Sequence, residues 1–538
     1  MAALVLEVTN LSVRLPSGAD RLHAIENATF AVGAGEIVCV VGESGSGKSV
    51  TSFAVMGLLP QTLRQNVSGS IKLCGEELVG AAPDRLRALR GARMSMIFQE
   101  PMTALNPMAR VGDQIAEVMT IHGRRAGSRK RVLELMESMR LPDPAKHARA
   151  YPHQLSGGQR QRVMIAMALA LGPALLIADE PTTALDVTTQ AQILKLIKDL
   201  RQNHQAGVLF ITHDIGVVAD IADRVVVMQS GRVVEQGPAS QVLYSPAHPY
   251  TAALIAAIPS FTPPERPPAP QREKIVCAEN IAKSYGGGWF GKGRRVEALK
   301  ASNLTLARGE TLGVVGESGS GKSTLARVIA RLIEPSTGAI HINDTDIAGL
   351  TGAHLQPFRK QIQIVFQDPS RSLNPRLRVG DSLTEGPLNF GMARSTALAK
   401  AREVAPLVGL SAQSLDRYPH EFSGGQRQRL CIARALMMEP QLLVADEAVS
   451  ALDMSVQKQV LELLDDVRRK FNLAILFITH DLRVAAQICD RIAVMRQGEI
   501  VEMGETKTIF SHPAHQYTRE LMEAVPGRKS HLVTRVGV

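Results

Sequence analysis

A glycine-rich loop that ends in a lysine occurs twice in this chain. Residues 41–50 read VGESGSGKSV and residues 315–324 read VGESGSGKST, so nine of the ten letters agree. Each loop follows a short apolar run that predicts a buried strand, and each begins a predicted helix. Glycine lets several backbone N–H groups converge on one point, and the start of a helix adds partial positive charge there. The spacing therefore predicts two phosphate-binding loops.

Each loop supplies a cation and a hydroxyl in addition to its amides. Lys48 and Lys322 are expected to contact the β- and γ-phosphates of ATP, and Ser49 and Ser323 to ligate Mg²⁺. The predicted nucleotide-binding residues of the two loops are Gly42, Glu43, Ser44, Gly45, Ser46, Gly47, Lys48, Ser49 and Val50, and then Gly316, Glu317, Ser318, Gly319, Ser320, Gly321, Lys322, Ser323 and Thr324.

Two apolar runs end in paired carboxylates. LLIADE ends at Glu180 and LLVADE ends at Glu447. Asp179 and Asp446 are predicted to hold Mg²⁺, while the glutamates polarise the water that attacks the γ-phosphate. An acidic pair at a strand end is by itself as compatible with a helix cap or an ion pair; the phosphate loop upstream favours hydrolysis.

A histidine closes a third repeated segment. LFITHD contains His213 in its first occurrence and His480 in its second. A lone histidine is more often structural than catalytic, but both copies follow the carboxylate strand by one predicted helix. A contact with the γ-phosphate is therefore the better interpretation.

The motifs define a duplicated domain rather than a solenoid repeat. The carboxylate pairs and the histidines each lie 267 residues apart, whereas the loop lysines lie 274 residues apart. A small insertion or deletion therefore separates the loops from the later motifs. A proline-rich stretch between the copies predicts an extended linker. The predicted boundaries are a first domain at 1–260 with a tail at 245–260, a linker at 261–273, and a second domain at 274–530 with a tail at 511–527.

Composition excludes several other classes of protein. The net charge of +10 is compatible with nucleic acid, anionic lipid or a polyanionic ligand, but aromatic residues are only 4%, which disfavours a base-stacking surface. None of the five cysteines has a CxxC spacing, so neither a zinc knuckle nor a disulfide framework is predicted.

The apolar run 163–178 is interrupted by Gly172 and Pro173 and is interpreted as a buried helix followed by a buried strand. No segment is predicted to span a membrane.

Two further motif pairs connect the chain to a family. LSGGQRQR at 155–162 recurs as FSGGQRQR at 422–429, and IFQEP at 97–101 recurs as VFQDP at 365–369. With the loops, carboxylates and histidines, these motifs resemble those of the ABC transporter ATPases over nearly the whole chain, twice. The resemblance implies an α/β fold of two tandem P-loop NTPase (ABC cassette) domains, each with a RecA-like core, an antiparallel β subdomain and a helical subdomain.

The resemblance also assigns roles to residues. It makes Gln99 and Gln367 both catalytic and metal-binding, beside the catalytic Glu180, His213, Glu447 and His480 and the metal ligands Ser49, Asp179, Ser323 and Asp446. The signature residues that would face a nucleotide are Ser156, Gly157, Gly158, Gln159, Ser423, Gly424, Gly425 and Gln426. In the family, cassettes pair head to tail, so the second signature would face the ATP held by Lys48 and the first signature the ATP held by Lys322. Both sites keep the full set, so both are expected to hydrolyse ATP.

The chain departs from the family pattern in two places. Tyr285 stands where an aromatic residue stacks on adenine in the second copy, but the first copy has Leu15 there. Adenine is therefore expected to be held less specifically in the first site. Ala448 replaces the usual proline after Glu447, which is expected to change local stiffness more than chemistry.

The tails favour a subgroup. SPAHPYTAALIAAIP at 245–259 and HPAHQYTRELMEAVP at 512–526 resemble the tails of oligopeptide and dipeptide importer ATPases. The fused, short-tailed form is most similar to the ATPase of peptide and microcin C type importers; a glutathione, opine or sugar importer remains an alternative. The cysteine positions predict no iron–sulfur cluster.

The resemblance further implies two integral-membrane permease subunits, a periplasmic or extracellular substrate-binding protein, and a peripheral place on the cytoplasmic face of the inner membrane. No nucleic acid is expected as a partner. The rival hypotheses are a two-cassette ATPase that acts on the ribosome and one that acts on DNA. A short proline-rich linker argues against the first, and the lack of heptads and CxxC pairs argues against the second.

Overall fold

The computed structural model describes residues 3–18, 21–183, 185–265, 273–286, 296–450 and 452–528. Within these ranges the chain forms two compact units. The first comprises the described residues up to Ile258 together with Pro526, Gly527 and Arg528; the second comprises those from Pro259 to Val525. Residues 266–272 of the predicted linker lie outside the described ranges.

The first unit contains ten strands and twelve helices in its described residues. The strands are β1 (Leu4–Arg14), β2 (His23–Gly33), β3 (Ile37–Val41), β4 (Val67–Leu73), β5 (Glu76–Glu77), β6 (Met94–Ile97), β7 (Leu175–Asp179), β8 (Gly207–Ile211), β9 (Arg224–Gln229) and β10 (Arg232–Pro238). The helices are α1 (Lys48–Val55), α2 (Gln61–Arg64), α3 (Pro83–Leu89), α4 (Pro101–Ala104), α5 (Val111–Ile121), α6 (Ser128–Ser138), α7 (Pro144–Ala148), α8 (Gly157–Leu169), α9 (Val187–His204), α10 (Ile215–Ile221), α11 (Ala239–Tyr244) and α12 (Pro249–Ala256).

The second unit has the same strand order in its described residues, but it has no helix equivalent to α2, and a 3-10 helix (Ala412–Asp416) stands in place of α7. The strands are β11 (Lys274–Tyr285), β12 (Val296–Ala307), β13 (Thr311–Val315), β14 (Thr337–Ile342), β15 (Thr345–Asp346), β16 (Ile362–Val365), β17 (Leu442–Asp446), β18 (Ala474–Ile478), β19 (Arg491–Arg496) and β20 (Glu499–Glu505). The helices are α13 (Lys322–Ile329), α14 (Gly352–Gln361), α15 (Pro369–Ser372), α16 (Val379–Asn389), α17 (Arg394–Leu407), α18 (Gly424–Leu436), α19 (Met454–Phe471), α20 (Leu482–Ile488), α21 (Thr506–Ser511) and α22 (Gln516–Glu523).

Each unit has one antiparallel and one mainly parallel sheet. In the first unit the antiparallel sheet has the order β2-β1-β4-β5, and the other sheet has the order β10-β9-β3-β8-β7-β6. Strands β6, β7, β8, β3 and β9 run parallel, and β10 joins the edge in the antiparallel sense. The second unit has the equivalent orders β12-β11-β14-β15 and β16-β17-β18-β13-β19-β20. With the helices between β6 and β7, and between β16 and β17, this confirms the predicted core, β subdomain and helical subdomain.

The parallel sheet brings the motifs to one edge. Every residue of β3, β7 and β8 is buried, as their continuous apolar sequences require for strands covered on both faces. Because parallel strands end on the same side, the residues that follow β3, β6, β7 and β8 converge there. These four strands precede the phosphate loop, Gln99, Glu180 and His213 respectively.

Local sequence explains several other features. The run 163–178 forms α8, a break at Gly172 with a positive φ of 66°, and then β7, as predicted. The apolar residues Val132, Leu135 and Met136 lie on one face of α6 and are buried. Helix α2 lies between the first phosphate loop and β4, where residues 330–336 of the second unit contain no helix. This difference accounts for most of the change in distance between the repeats.

Within the described ranges, none of the helices is both long enough and apolar enough to cross a bilayer.

Candidate functional site

The two phosphate loops adopt the same shape, which only glycine permits at two positions in each. Gly42 has φ 151° and Gly47 has φ 103°, and a Cβ at Gly42 would collide with the carbonyl oxygen of Met228. Gly316 has φ 152°, and a Cβ there would collide with the carbonyl oxygen of Met495. The loop is therefore wound tightly against the strand beside it, and its glycines are required by space as well as by dihedral angle.

The loop lysines are buried and bind the loop itself. Lys48 Nζ donates to the carbonyl oxygens of Gly42 at 2.7 Å and Glu43 at 2.9 Å. Lys322 Nζ donates to Gly316 and Glu317, both at 2.7 Å. Each ammonium is thus held inside the curl of its loop, beside the amides that start the next helix.

The loops fit a bound phosphate on two counts. Helices α1 and α13 start at the lysines, and their N-cap residues Gly47 and Gly321 have no side chain that could cap them. The buried Oγ atoms of Ser46 and Ser320 also have no hydrogen-bond partner among the described residues. Uncapped amides, a buried hydroxyl and an ammonium form the donor set that a polyphosphate accepts from.

A hydroxyl and a carboxylate meet at each candidate metal position. Ser49 Oγ donates to Asp179 Oδ1 at 3.1 Å, and Ser323 Oγ donates to Asp446 Oδ1 at 3.1 Å. Burial raises the pKa of both aspartates, and the serine hydroxyls only partly offset it. Oxygen ligands of this kind suit Mg²⁺, and a divalent cation would stabilise the buried charge of the carboxylate.

The first candidate base, Glu180, accepts from three neighbouring side chains. Its Oε2 lies 3.1 Å from Gln99 Nε2, 2.9 Å from Thr183 Oγ1 and 3.3 Å from His213 Nδ1. Burial raises the pKa of Glu180, but His213, Thr183 and Lys48 together bring it below its ordinary value. Glu180 also has a left-handed φ of 47°, an unfavourable geometry for glutamate that points to a constrained functional position.

The second candidate base, Glu447, has a similar but smaller set of contacts. Its Oε2 lies 2.9 Å from Gln367 Nε2 and 3.5 Å from His480 Nδ1, and its φ is 51°. Burial raises its pKa, and the contacts with His480 and Lys322 bring it below the ordinary value. Ser450, which stands where Thr183 stands in the first unit, donates instead to the Glu447 backbone carbonyl at 3.0 Å.

In both units the glutamine amide nitrogen points to the base. Because Gln99 and Gln367 donate through Nε2 to Glu180 and Glu447, their Oε1 atoms are available to a metal. The structure therefore brings the predicted catalytic and metal-binding residues of each unit together at the edge of its parallel sheet.

The signature residues form the start of a long helix in each unit. Ser156 Oγ accepts from Gln159 N at 3.3 Å, and Gln159 Oε1 accepts from Ser156 N at 3.0 Å. Ser423 and Gln426 repeat this capping box at the start of α18. The following residues have distinct surroundings: Gly157 and Gly424 face open space, whereas a side chain on Gly158 or Gly425 would collide with α9 or α19. The first glycine thus leaves backbone accessible to a ligand, and the second allows close packing.

The positions predicted to contact adenine differ between the units. Tyr285 is 43% exposed, and Lys283 Nζ lies 5.5 Å from its ring centroid. In the first unit, Leu15 and Arg21 line a cleft of about 440 Å³. Arg21 also donates to the carbonyl oxygen of Gly45 in the phosphate loop at 2.6 Å, a contact that no sequence motif announces.

Comparison with known proteins agrees with these motifs. The family model described as ABC transporter matches residues 25–183 and 299–450, and the model described as oligopeptide/dipeptide transporter, C-terminal region, matches 234–287 and 501–535. The glutathione import ATP-binding protein GsiA of Salmonella choleraesuis (strain SC-B67) is 46% identical over 97% of this chain and 89% of its own length. The protein of that name from Escherichia coli O157:H7 is 44% identical over 98% and 90%.

A solved dimeric structure of an ATP-binding cassette in a post-hydrolysis state, bound to ADP and Pi, is 30% identical, with a TM-score of 0.39 over 43% of this chain and 99% of that one. The family assignment rests on the two family models and the full-length relatives. The chain belongs to the ABC transporter ATPases and is a fused two-cassette ATPase of the oligopeptide/dipeptide transporter family.

Proposed function

We propose that this ATPase powers the import of short peptides or peptide-like compounds, with glutathione as the first compound to test. The observation that carries the proposal is the combination of two complete cassettes with the oligopeptide/dipeptide transporter region after each. Relatives that match almost the whole chain are named glutathione import ATP-binding proteins, and glutathione is itself a small peptide.

In the proposed reaction, each unit prepares one ATP for attack by water. The loop amides and Lys48 bind the β- and γ-phosphates, while the oxygens of Ser49, Asp179 and Gln99 hold Mg²⁺. Bound Mg²⁺ neutralises negative charge on the phosphates. Glu180 stays ionised because its pKa is low, so it can orient and polarise the attacking water. The corresponding residues of the second unit are Lys322, Ser323, Asp446, Gln367 and Glu447.

The histidines are proposed to contact the γ-phosphate while remaining paired with the base. His213 Nδ1 lies next to Glu180, and His480 Nδ1 lies next to Glu447. In a protonated imidazole both ring nitrogens are donors, so Nε2 can donate to a phosphate oxygen while Nδ1 donates to the carboxylate. This arrangement links the presence of the γ-phosphate to the orientation of the base.

We also propose that hydrolysis requires the two cassettes to act as a pair. Ser423, Gly424 and Gly425 would then complete the site of Lys48, and Ser156, Gly157 and Gly158 the site of Lys322. The accessible backbone of Gly157 and Gly424, at the start of a helix, supports a phosphate-binding role. The proposed complex contains two permease subunits and a substrate-binding protein, with this chain peripheral on the cytoplasmic face of the membrane. The segments after Gln99 and Gln367 are the proposed permease contacts.

The experiment that tests this function is affinity capture of the full chain carrying both Glu180→Gln and Glu447→Gln, from detergent-solubilised cells. We expect two multi-span permease subunits among the captured proteins, identified by mass spectrometry. Uptake of radiolabelled glutathione and of a labelled dipeptide is then compared in a deletion strain that carries the wild-type or the double-variant gene. Capture of ribosomal or DNA-repair proteins without permeases would contradict transport, and uptake of neither compound would contradict the substrate class.

A further inference from the structure

The tail of each cassette reaches back to its phosphate loop through a tyrosine hydroxyl. Glu43 N donates to Tyr250 Oη at 3.0 Å, across 207 residues of sequence. Glu317 N donates to Tyr517 Oη at 3.2 Å in the second unit. The same contact thus forms in both units, although the tail sequences around the two tyrosines differ.

The loop residue that the tyrosine holds is also the one that holds the lysine. The Glu43 carbonyl oxygen accepts from Ser46 N at 3.1 Å and from Lys48 Nζ at 2.9 Å. The Glu317 carbonyl accepts equivalently from Ser320 N at 3.1 Å and from Lys322 Nζ at 2.7 Å. The backbone of a single residue therefore connects the tail hydroxyl to the lysine ammonium.

The tail itself is anchored to the edge strand of the parallel sheet. In the first unit the Glu235 carboxylate, on β10, accepts from Ala247 N at 2.8 Å and His248 N at 3.1 Å. His248 Nδ1 then accepts from Tyr250 N at 3.2 Å, which orients the first turn of α12. These bonds fix the start of α12 relative to β10, independently of the contact between Tyr250 and the loop.

The second tail repeats each of these bonds. Glu502 accepts from Ala514 N at 2.8 Å and His515 N at 3.1 Å, and His515 Nδ1 accepts from Tyr517 N at 3.1 Å. Burial raises the pKa of Glu502, but hydrogen bonds from Thr518 and the two backbone amides bring it below its ordinary value, so the anchor stays charged. Eight of the fifteen tail positions are identical in the two copies, and they include the alanine, histidine and tyrosine that make these bonds.

We propose that Tyr250 and Tyr517 are positioning residues that keep the phosphate loops in the shape that binds ATP. A glycine-rich loop loses much backbone entropy when it becomes ordered. A loop already held at its first turn pays less of that entropy when phosphate binds, so ATP binds more tightly. The Glu43 N–H is directed to the tail, which leaves the later amides of the loop for phosphate. This inference rests on the proposed assignment of the loops as the ATP sites.

The test compares the full wild-type chain with the double variant Tyr250→Phe and Tyr517→Phe. Phenylalanine keeps the ring and removes only the hydroxyl that accepts from Glu43 and Glu317. We expect the Kd for a fluorescent ATP analogue, and KM for ATP, to rise about threefold to tenfold, with a much smaller change in kcat. Tyr244→Phe is the matched control, because Tyr244 is an exposed tyrosine at the end of α11, just before the tail, and it should leave both constants unchanged.

A second measurement separates positioning from folding. Amide hydrogen exchange at Glu43 and Glu317 should accelerate in the double variant, while the thermal unfolding midpoint and the exchange of α12 and α22 stay as in the wild type. An unchanged Kd with unchanged exchange at the two loop amides would overturn the inference. So would a general loss of tail protection with wild-type ATP affinity, since that would mean a packing role alone. If the wild-type chain bound no ATP, the proposed sites and this inference would fail together.

Discussion

The two cassettes hold their phosphate loops identically but support their candidate bases differently. Lys48 and Lys322 donate to equivalent carbonyls, and Ser49 and Ser323 contact equivalent aspartates at the same distance. In contrast, a threonine hydroxyl binds the carboxylate of Glu180, whereas the corresponding serine binds only the backbone of Glu447. The lysine and serine of the two loops therefore make equivalent contacts, and the residues that contact the candidate bases have diverged.

The divergence extends to the segment after each base. Gln161 of the signature helix is buried and donates through Nε2 to the carbonyl of Pro181 at 2.7 Å. Its counterpart Gln428 is equally buried, but its Nε2 has no partner among the described residues, and Ala448 replaces the proline. In the first unit, a hydrogen bond thus links the signature helix α8 to the residue that follows Glu180. Gln428 does not make the equivalent bond in the second unit. Two sites with the same candidate catalytic residues thus differ in the hydrogen bonds that support those residues.

The largest expected effect comes from removing the bases. Glu180→Gln with Glu447→Gln should lower steady-state ATP hydrolysis by about 10²–10⁴-fold while ATP still binds, because an amide cannot accept a proton from water. Among the single variants, Glu180→Gln should be the more damaging, since Glu180 is the better supported base. Phosphate release measures turnover, and Glu462→Gln, on the exposed face of α19, is the control. Rapid turnover by the double variant would refute the assigned bases.

The second prediction tests which signature serves which loop. Under the proposed pairing, Ser423→Arg should weaken photolabelling of the Lys48 loop by an ATP analogue about tenfold, because a bulky side chain would replace a phosphate-binding hydroxyl. Labelling of the Lys322 loop should change little. Ser156→Arg is the matched variant and should give the opposite pattern. Loss of labelling at the loop of the substituted cassette itself would contradict the pairing.

A smaller effect is expected on stability. Gln161→Leu should lower the stability of the first unit by about 1–3 kcal/mol, because the Pro181 carbonyl loses its buried donor. Gln428→Leu should cost less or be neutral, since it removes a buried amide without a partner among the described residues. Thermal unfolding of the two full-length variants measures the difference. Equal losses would show that the contrast between the two glutamines has no energetic consequence.

The smallest expected effect is electrostatic. Burial lowers the pKa of His480, but the charges of Glu447 and Asp481 raise it above its ordinary value of 6.5. The imidazole should therefore titrate at higher pH than a free histidine. Glu447→Gln should move the midpoint downward, because burial then opposes the imidazolium with less compensation. NMR titration of labelled histidine, assigned with His480→Gln, measures both; an upward shift in the Glu447 variant would contradict this account.

Much of the fold and site could be predicted from sequence because the motifs carry their own local geometry. The loop lysine, the carboxylate pair and the histidine each follow an apolar run, so their places at strand ends follow from the pattern of buried strands. The full burial of β3, β7 and β8 confirms that prediction. The proposed pairing of the cassettes and the weaker adenine specificity expected for Leu15 stay predictions.

Other contacts had no local signal. Arg21 and Gly45 are brought together by the antiparallel sheet, and Tyr250 reaches Glu43 across 207 residues. The repeated tyrosines could have marked the tails as functional, but not the atom that they contact. The different hydrogen bonds of Thr183 and Ser450 likewise depend on side-chain placement, since both residues offer a hydroxyl at the same position.

Residue types at fixed spacings were enough to predict the duplicated domain, the candidate catalytic groups and the family. The hydrogen bond between each phosphate loop and its tail, and the unequal support of the two candidate bases, could be read only from the folded structure. Those features depend on distances between segments far apart in the chain, which are set by how strands and helices pack rather than by any local pattern.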